Sequence, residues 1–92
     1  WEYSRMAIVF IPTMLQPLSG GIVQVRVAGR TIRTIINNLE ERFPGIKERL
    51  LQEGDLRPDV AVAIDGETAL DGVAELVGED SEVHFIPPIS GG

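Results

Sequence analysis

The alternation of apolar and polar residues predicts four β-strands in this chain. They span residues 6–12, 23–27, 60–64 and 83–87. The first stretch is apolar on both faces, which is typical of a central strand that is covered on both sides or offers one side to a partner. In the second and third stretches every other residue is valine or isoleucine, the period expected of a strand with one buried face. We therefore expect a sheet of four or five strands.

One long amphipathic helix is predicted between the second and third strands. Thr31 is suited to be its N-cap, and Pro44-Gly45 ends it. Between them, apolar residues recur at the spacing of a single helix face. This stripe consists of Ile32, Ile35, Ile36, Leu39 and Phe43. We expect the helix to bury an apolar stripe of this width against a sheet.

The remaining connections are predicted to be short or irregular. Residues 13–21 and 52–59 are predicted to be loops, because proline and glycine interrupt both stretches. Residues 46–51 are expected to add a short helical turn, with Leu50 and Leu51 packing inward.

The order of these elements indicates the class of fold. A crossing at residues 68–76, with about one helical turn, joins the last two strands, and we expect three apolar residues to anchor it in the core. These anchors are Leu70, Val73 and Leu76. The order strand, strand, helix, strand, crossing, strand buries every apolar stripe when one helix packs on one face of the sheet. The fold class predicted from pattern is therefore α+β, in two layers.

Composition narrows the functions that a single such domain can have. The 92 residues carry a formal charge of −6, which argues against nucleic acid or an anionic membrane as partner. The sequence has no cysteine and one histidine, His84, so neither a thiolate site nor a histidine-based metal cluster fits within one chain. No apolar run approaches the roughly 20 residues of a membrane span, and the start shows no signal-peptide pattern. We expect a cytoplasmic protein that binds no metal.

The polar and charged residues elsewhere suggest structural roles. His84 is expected to be a solvent-side strand residue, since no acid or nucleophile that would make it catalytic is evident. The acidic residues beside turn glycines lack the dense spacing of a calcium loop; they are Asp65, Glu67 and Asp71. Three arginines near the second strand are expected to be solvated or to pair with an acidic partner; they are Arg26, Arg30 and Arg33.

The end of the chain has the most specific pattern. The strand at 83–87 runs into Pro87-Pro88, and a proline cannot continue a sheet ladder. A short arm, Ile89-Ser90-Gly91-Gly92, follows. Terminal glycines have no Cβ, so they can pass through a narrow channel and bring a carboxylate against another protein's backbone. The ordinary alternative is a disordered end or a cloning remnant.

The sequence Gly-Glu-Asp-Ser-Glu-Val-His-Phe-Ile-Pro-Pro-Ile-Ser-Gly-Gly, residues 78–92, closely resembles the end of the MoaD/ThiS family of ubiquitin-like sulfur carriers. Residues 60–67 are similar to that family's penultimate strand and turn, and residues 11–21 to the opening of its CysO-type subgroup. The resemblance implies a ubiquitin-like β-grasp with a mixed four- to five-stranded sheet, in which the first and last strands are parallel at the centre.

The resemblance also implies a chemistry that needs no catalytic side chain. A partner of the ubiquitin-activating type would use ATP to adenylate the Gly92 carboxylate, and sulfur would then displace AMP to leave a thiocarboxylate. Ser90 and Gly91 would thread the partner's channel. The chain would be a carrier and co-substrate rather than an enzyme, and it would bind no cofactor of its own. The sulfur acceptor would be a cysteine synthase, slightly favoured, or the large subunit of molybdopterin synthase.

Such carriers dock their activating enzymes through a flat apolar patch on the sheet, so we predict a docking surface beside the tail. Its residues are Phe10, Ala61, Ala63, Phe85, Ile86, Pro87 and Pro88. Pattern alone does not decide which face of the strands points at the helix. The alternative is that the residues of this patch belong to the hydrophobic core.

The chain is therefore divided into three parts. Residues 1–5 are an upstream extension or an expression remnant, 6–88 form the β-grasp domain, and 89–92 are a flexible tail. Two other functions stay open. One is a protein modifier joined through Gly92 to lysines of its targets, and the other is a plain protein-interaction module.

Overall fold

The computed structural model describes residues 6–87, which form a five-stranded sheet, a small separate hairpin and two α-helices. The sheet contains β1 (Met6–Phe10), β2 (Gln24–Ala28), β5 (Ala61–Ile64), β6 (Glu67–Thr68) and β7 (Glu82–Ile86). The hairpin pairs β3 (Leu51–Gln52) with β4 (Asp55–Leu56). The helices are α1 (Ile32–Arg42) and α2 (Ile46–Leu50).

The order of strands across the sheet is β2-β1-β7-β5-β6. The first and last strands are parallel neighbours, with Val9 opposite Val83, and the other pairs in the sheet are antiparallel. Strand β7 therefore lies at the centre, as the predicted topology requires. Pro87 directly follows β7, so the C-terminal residues 88–92 are joined in sequence to the central strand.

The helix α1 covers one face of the sheet. Thr31 is its N-cap, and the Thr31 Oγ1 accepts a hydrogen bond from the Thr34 backbone N–H at 3.3 Å, as predicted for this residue type. All five residues of the predicted stripe are buried, from Ile32 at 0% exposure to Phe43 at 8%. The strands meet this stripe with the side chains of alternate residues, chiefly the valines. These are Ala7, Val9, Val25, Val27, Val62, Val83 and Phe85.

The short helix α2 confirms the predicted turn after Pro44-Gly45. Leu50 and Leu51 are both buried, as expected. The Glu40 carboxylate accepts hydrogen bonds from the backbone N–H groups of Gly45 and Lys47, at 3.1 and 2.9 Å, at the start of this helix. These bonds to the charged form lower the pKa of Glu40 below its ordinary value.

Two stretches predicted to be loops contain regular structure. Residues Thr13–Ser19 form a 3₁₀ helix, which lacks the 3.6-residue apolar period that would have revealed it. Residues 52–59 contain part of the β3–β4 hairpin, whose turn residues Glu53 and Gly54 have φ of 55° and 85°. Positive φ at both turn residues is the two-residue turn that suits the twist of a hairpin.

The predicted anchors of the 68–76 crossing are wrong at two of three positions. Val73 is 5% exposed within a 3₁₀ helix at Gly72–Ala74, but Leu70 is 89% exposed and Leu76 73%. The crossing has one short 3₁₀ turn, in agreement with the single helical turn that was predicted. Leu76 then lies in an extended segment that bridges to Thr31, and its neighbour Val77 is the buried side chain. In extended backbone, neighbouring side chains point to opposite sides.

The Asp65-Gly66 turn joins β5 to β6 and also fastens them to the start of β7. Both turn residues have positive φ, 52° and 87°. The Asp65 carboxylate accepts hydrogen bonds from the Ser81 Oγ at 2.8 Å and from the Glu82 backbone N–H at 2.9 Å. The Glu82 bond first, and then the Ser81 bond, lower the pKa of Asp65 below its ordinary value.

Candidate docking face and the exit of the last strand

The face of the sheet opposite α1 carries an apolar strip across three strands. On β1, β7 and β5, the residues Phe10, His84 and Ala63 lie side by side, because Phe10 is opposite His84 and His84 is opposite Ala63. The next row toward the tail pairs Ile86 with Ala61. We call these five residues the outer strip. Four of the predicted docking residues thus fall on one surface.

The outer strip is flat and partly open to solvent. Ile86 is 51% exposed, and Ala61 is exposed as well. The two alanines are too small to rise above the sheet, so Ile86 and Phe10 are the large apolar side chains that a partner would bury. Exposed apolar patches are one mark of protein-interaction sites.

A ring stack fixes the middle of the outer strip. The Phe10 and His84 rings are parallel within 7°, with their centroids 4.2 Å apart. The His84 side chain is 44% exposed, and its Nε2 lies 3.7 Å from a Glu82 Oε1. His84 therefore lies on the solvent side of its strand, as predicted, but the sequence did not reveal that its ring stacks on that of Phe10. Ring pairing across neighbouring strands depends on register, which pattern alone did not set.

Phe85 does not belong to the docking surface. It is 4% exposed and packs in the core on the helix side of β7. Its assignment to the docking residues is wrong because Val83 and Phe85 alternate with His84 and Ile86, and the alternation sends Phe85 inward. Pro87 is half-buried at the end of β7. The other predicted site residues lie outside the described residues: Pro88, Ser90, Gly91 and Gly92.

Beside Pro87, the described residues form a groove of about 310 Å³ that the sequence did not predict. We call it the exit groove. Its lining comes from the first 3₁₀ helix, from α2, from the loop before β5 and from the end of β7. The lining residues are Met14, Leu15, Arg49, Arg57, Asp59, Val60 and Pro87. They come from distant parts of the sequence, so no local motif could have identified them.

The other polar residues singled out in the sequence make contacts within the domain. Arg26 pairs with Asp80 at 2.9 Å, and Arg33 donates to the Gly54 carbonyl oxygen at 3.0 Å. Two of the three arginines are thus already engaged. Among residues 6–87, no group of three His, Cys, Asp or Glu side chains is placed to hold a metal ion. Within the same range, no helix is long and apolar enough to cross a membrane.

The strand order β2-β1-β7-β5-β6, with parallel β1 and β7 and one helix across the sheet, defines a ubiquitin-like β-grasp fold. The outer strip is partly open to solvent, and the C-terminal residues follow the central strand in the sequence. Both features are compatible with a protein that other proteins recognise. The chain belongs to the ThiS family, whose model matches residues 9–92.

Three relatives give the extent of the likeness. The sulfur carrier protein CysO of Mycobacterium tuberculosis is 33% identical over 89 residues, which cover 91% of this chain and 96% of that protein. A chain in the crystal structure of the Amycolatopsis orientalis BexX/CysO complex matches with a TM-score of 0.88 and 32% identity, covering 94% of this chain and 99% of that one. Small archaeal modifier protein 3 of Haloferax volcanii is 31% identical over 64 residues, or 67% of this chain and 70% of the relative.

Proposed function

We propose that this protein is a sulfur carrier whose C-terminal Gly92 carboxylate is the reacting group. One observation carries the proposal: a sulfur carrier protein of the same family is 33% identical over nearly its whole length. The tail sequence supports it, because Pro87-Pro88 follow the central strand and the chain then ends in the short arm Ile89-Ser90-Gly91-Gly92. The chain is a co-substrate of other enzymes and not an enzyme itself.

The proposed reaction has two steps. A carboxylate oxygen of Gly92 attacks the α-phosphorus of ATP, so an acyl-adenylate forms and pyrophosphate leaves. Hydrosulfide then attacks the acyl carbon, and the bond from that carbon to the AMP oxygen breaks. AMP leaves with the oxygen, a proton is lost, and Gly92 ends as a thiocarboxylate. ATP binds to the partner enzyme, and this chain needs no cofactor of its own.

In this reaction the domain presents the tail to the adenylating enzyme and provides the surface that the enzyme recognises. The outer strip offers Phe10 and Ile86 for burial against the adenylating enzyme. Gly92 is six residues after Ile86 in the sequence, so an enzyme seated on the strip has the Gly92 carboxylate within reach. Strand β7 is hydrogen-bonded on both sides, by β1 and β5, and this gives the tail a rigid base.

We further propose that the sulfur passes to cysteine synthesis, through a synthase that docks on the same end of the domain. Molybdopterin synthesis is the alternative. The relative that matches over nearly its whole length is a CysO protein, and this favours the first pathway. The discriminating measurement is transfer of sulfur from the thiocarboxylate to purified cysteine synthase or to the molybdopterin synthase large subunit.

A protein modifier is the second candidate, and the likeness to a small archaeal modifier protein favours it. Both functions use the same adenylated Gly92 and differ in the nucleophile that accepts the acyl group. Slow-migrating conjugates in cells, absent when Gly92 is deleted, would support the modifier. A deletion of Gly91-Gly92 that leaves function intact would instead support a plain interaction module.

The proposal is tested by adding one alanine after Gly92. The extension moves the carboxylate by one residue and leaves residues 6–87 unchanged, so adenylation and sulfur transfer are expected to be lost while the domain keeps its thermal stability. A chain ending at Gly92 is the matched control. Full activity of the extended protein, with the extra alanine still present by mass spectrometry, would overturn the proposal.

A further inference from the structure

The exit groove combines an apolar floor with two guanidinium groups, and Pro87 is part of its lining. Met14 is 49% exposed, and Leu15 and Val60 are buried beneath it. The groove also has Arg49 and Arg57 in its lining, with Asp59 as its acidic member. In a chain with a formal charge of −6, this is a local excess of positive charge.

Arg57 is held in place by the backbone around it. Its Nε and Nη2 donate to the Glu48 carbonyl oxygen, at 3.2 and 3.0 Å, and its Nη1 donates to the Gln52 Oε1 at 3.2 Å. These bonds use three of the five N–H groups of a guanidinium, so two stay available. Among residues 6–87 the arginine that pairs with a carboxylate is Arg26, which contacts Asp80, so neither groove arginine is neutralised by a carboxylate there. An ordered and unneutralised guanidinium is well suited to bind a carboxylate from outside.

The length of the tail limits how far from this groove an enzyme that acts on Gly92 can stand. Five residues separate Pro87 from the end at Gly92. A fully extended chain spans at most about 3.5 Å per residue, so the Gly92 carboxylate lies within about 17 Å of Pro87. An enzyme with its catalytic centre at that carboxylate therefore stands near the end of the sheet at which Pro87 and the exit groove lie.

We propose that the exit groove is a recognition site for an acidic segment of the adenylating enzyme, in which an apolar side chain lies on Met14 and a neighbouring carboxylate pairs with Arg49 and Arg57. The inference rests on the proposed function, because it needs an enzyme acting on Gly92. It adds a charged contact to the apolar docking of the outer strip. Such a contact speeds encounter and selects among partners, since opposite charges steer association and like charges exclude wrong enzymes.

The test measures pyrophosphate release by the adenylating enzyme as a function of carrier concentration. The probe variant is Arg49→Glu, because Arg49 is exposed and its replacement leaves the bonds of Arg57 intact. The matched control is Arg30→Glu, the same charge change at an exposed residue at the opposite end of the sheet. Arg30 follows β2, whose last residue Ala28 pairs with Met6 at the start of β1.

We expect Arg49→Glu to raise KM about tenfold at low salt with little change in kcat, and the effect to shrink at high salt. Arg30→Glu is expected to behave like the parent protein. If the parent is adenylated and both variants match it, the groove proposal is overturned and the carrier function stands. If the parent is not adenylated by an enzyme that is active on another carrier, the proposed function fails and the groove proposal with it.

A second readout separates an enzyme segment from the chain's own tail as occupant of the groove. The NMR signals of Gly91 and Gly92 are compared between the free parent and free Arg49→Glu. Unchanged tail signals together with a raised KM support the enzyme as occupant. Shifted tail signals with an unchanged KM would show that the groove holds the tail itself, and this would overturn the proposal.

Discussion

Ile86 is the residue best suited to test the role of the outer strip in docking. About half of its surface is buried in the fold, and the other half is available to a partner. Its side chain is 51% exposed in the free domain. Burying a whole isoleucine side chain contributes roughly 1.5–3 kcal/mol, so the exposed half contributes about 1 kcal/mol on docking. At about 1.4 kcal/mol per tenfold change, the substitution Ile86→Ala is expected to weaken binding of the adenylating enzyme about fivefold.

The assay is titration of the adenylating enzyme with the carrier by calorimetry, with a urea unfolding curve for each variant. The free energy of unfolding is expected to fall by only about 1 kcal/mol, because a half-exposed side chain leaves no closed cavity. The matched control is Leu76→Ala. Leu76 is 73% exposed and bridges to Thr31, at the other end of the sheet from Pro87.

Two outcomes would contradict a docking role for the outer strip. Equal loss of affinity in Ile86→Ala and Leu76→Ala would mean that apolar surface in general binds the enzyme. An unchanged affinity in Ile86→Ala would mean that the outer strip is not the docking surface.

Two further predictions concern the framework that supports the strip. Hydrogen bonds from the Glu82 backbone N–H and then from the Ser81 hydroxyl lower the pKa of Asp65 in the folded state, so the ionised carboxylate stabilises the fold. This contribution is present above the ordinary pKa of 3.8 and is lost as the pH falls through the lower pKa of the folded state. Asp65→Asn is therefore expected to be less stable than the parent at pH 7 and to approach it in acid, and a stability gap of constant size across a pH series of urea melts would contradict this. Leu39 is 0% exposed in the α1 stripe, so Leu39→Ala is expected to reduce the free energy of unfolding by about 2–5 kcal/mol. A measured loss below about 1 kcal/mol would contradict this prediction.

The sequence was sufficient to predict the helix layer, the sheet layer and the order of the elements along the chain. The stripe from Ile32 to Phe43 has a helical period that a strand cannot satisfy, and Thr31 is a strong N-cap residue, so both ends of α1 were predictable. The apolar strands at 6–12 and 83–87 indicated a two-layer domain, and the family resemblance made them parallel neighbours.

The sequence did not decide which side of an apolar strand faces the helix. In β7, Phe85 and Ile86 are both large and apolar, so hydrophobicity alone ranks them equally. The register with β1 and β5 turns Phe85 inward and leaves Ile86 on the outer strip. Leu70 and Leu76 failed as anchors for a related reason, since hydrophobicity alone did not separate them from Val73, which lies in the 3₁₀ turn and is buried.

The exit groove was beyond the reach of sequence reasoning. Met14, Arg49 and Arg57 lie in three separate segments, and only the folded chain brings them beside Pro87. Single arginines on a surface are usually solvated, so nothing in the sequence distinguished these two from Arg30. The hydrogen bonds that fix Arg57, two of them to a backbone carbonyl, appear only once α2 and the β3–β4 hairpin are in place.

The carrier function is tested most directly by the intact mass of the protein. The chain ending at Gly92 is incubated with ATP, sulfide and the adenylating enzyme of the same organism, and the product is mapped by fragmentation. The account predicts a mass gain equal to the exchange of one oxygen for one sulfur, confined to the peptide that contains Gly92. An unchanged mass, with an enzyme shown to be active on another carrier, would contradict it.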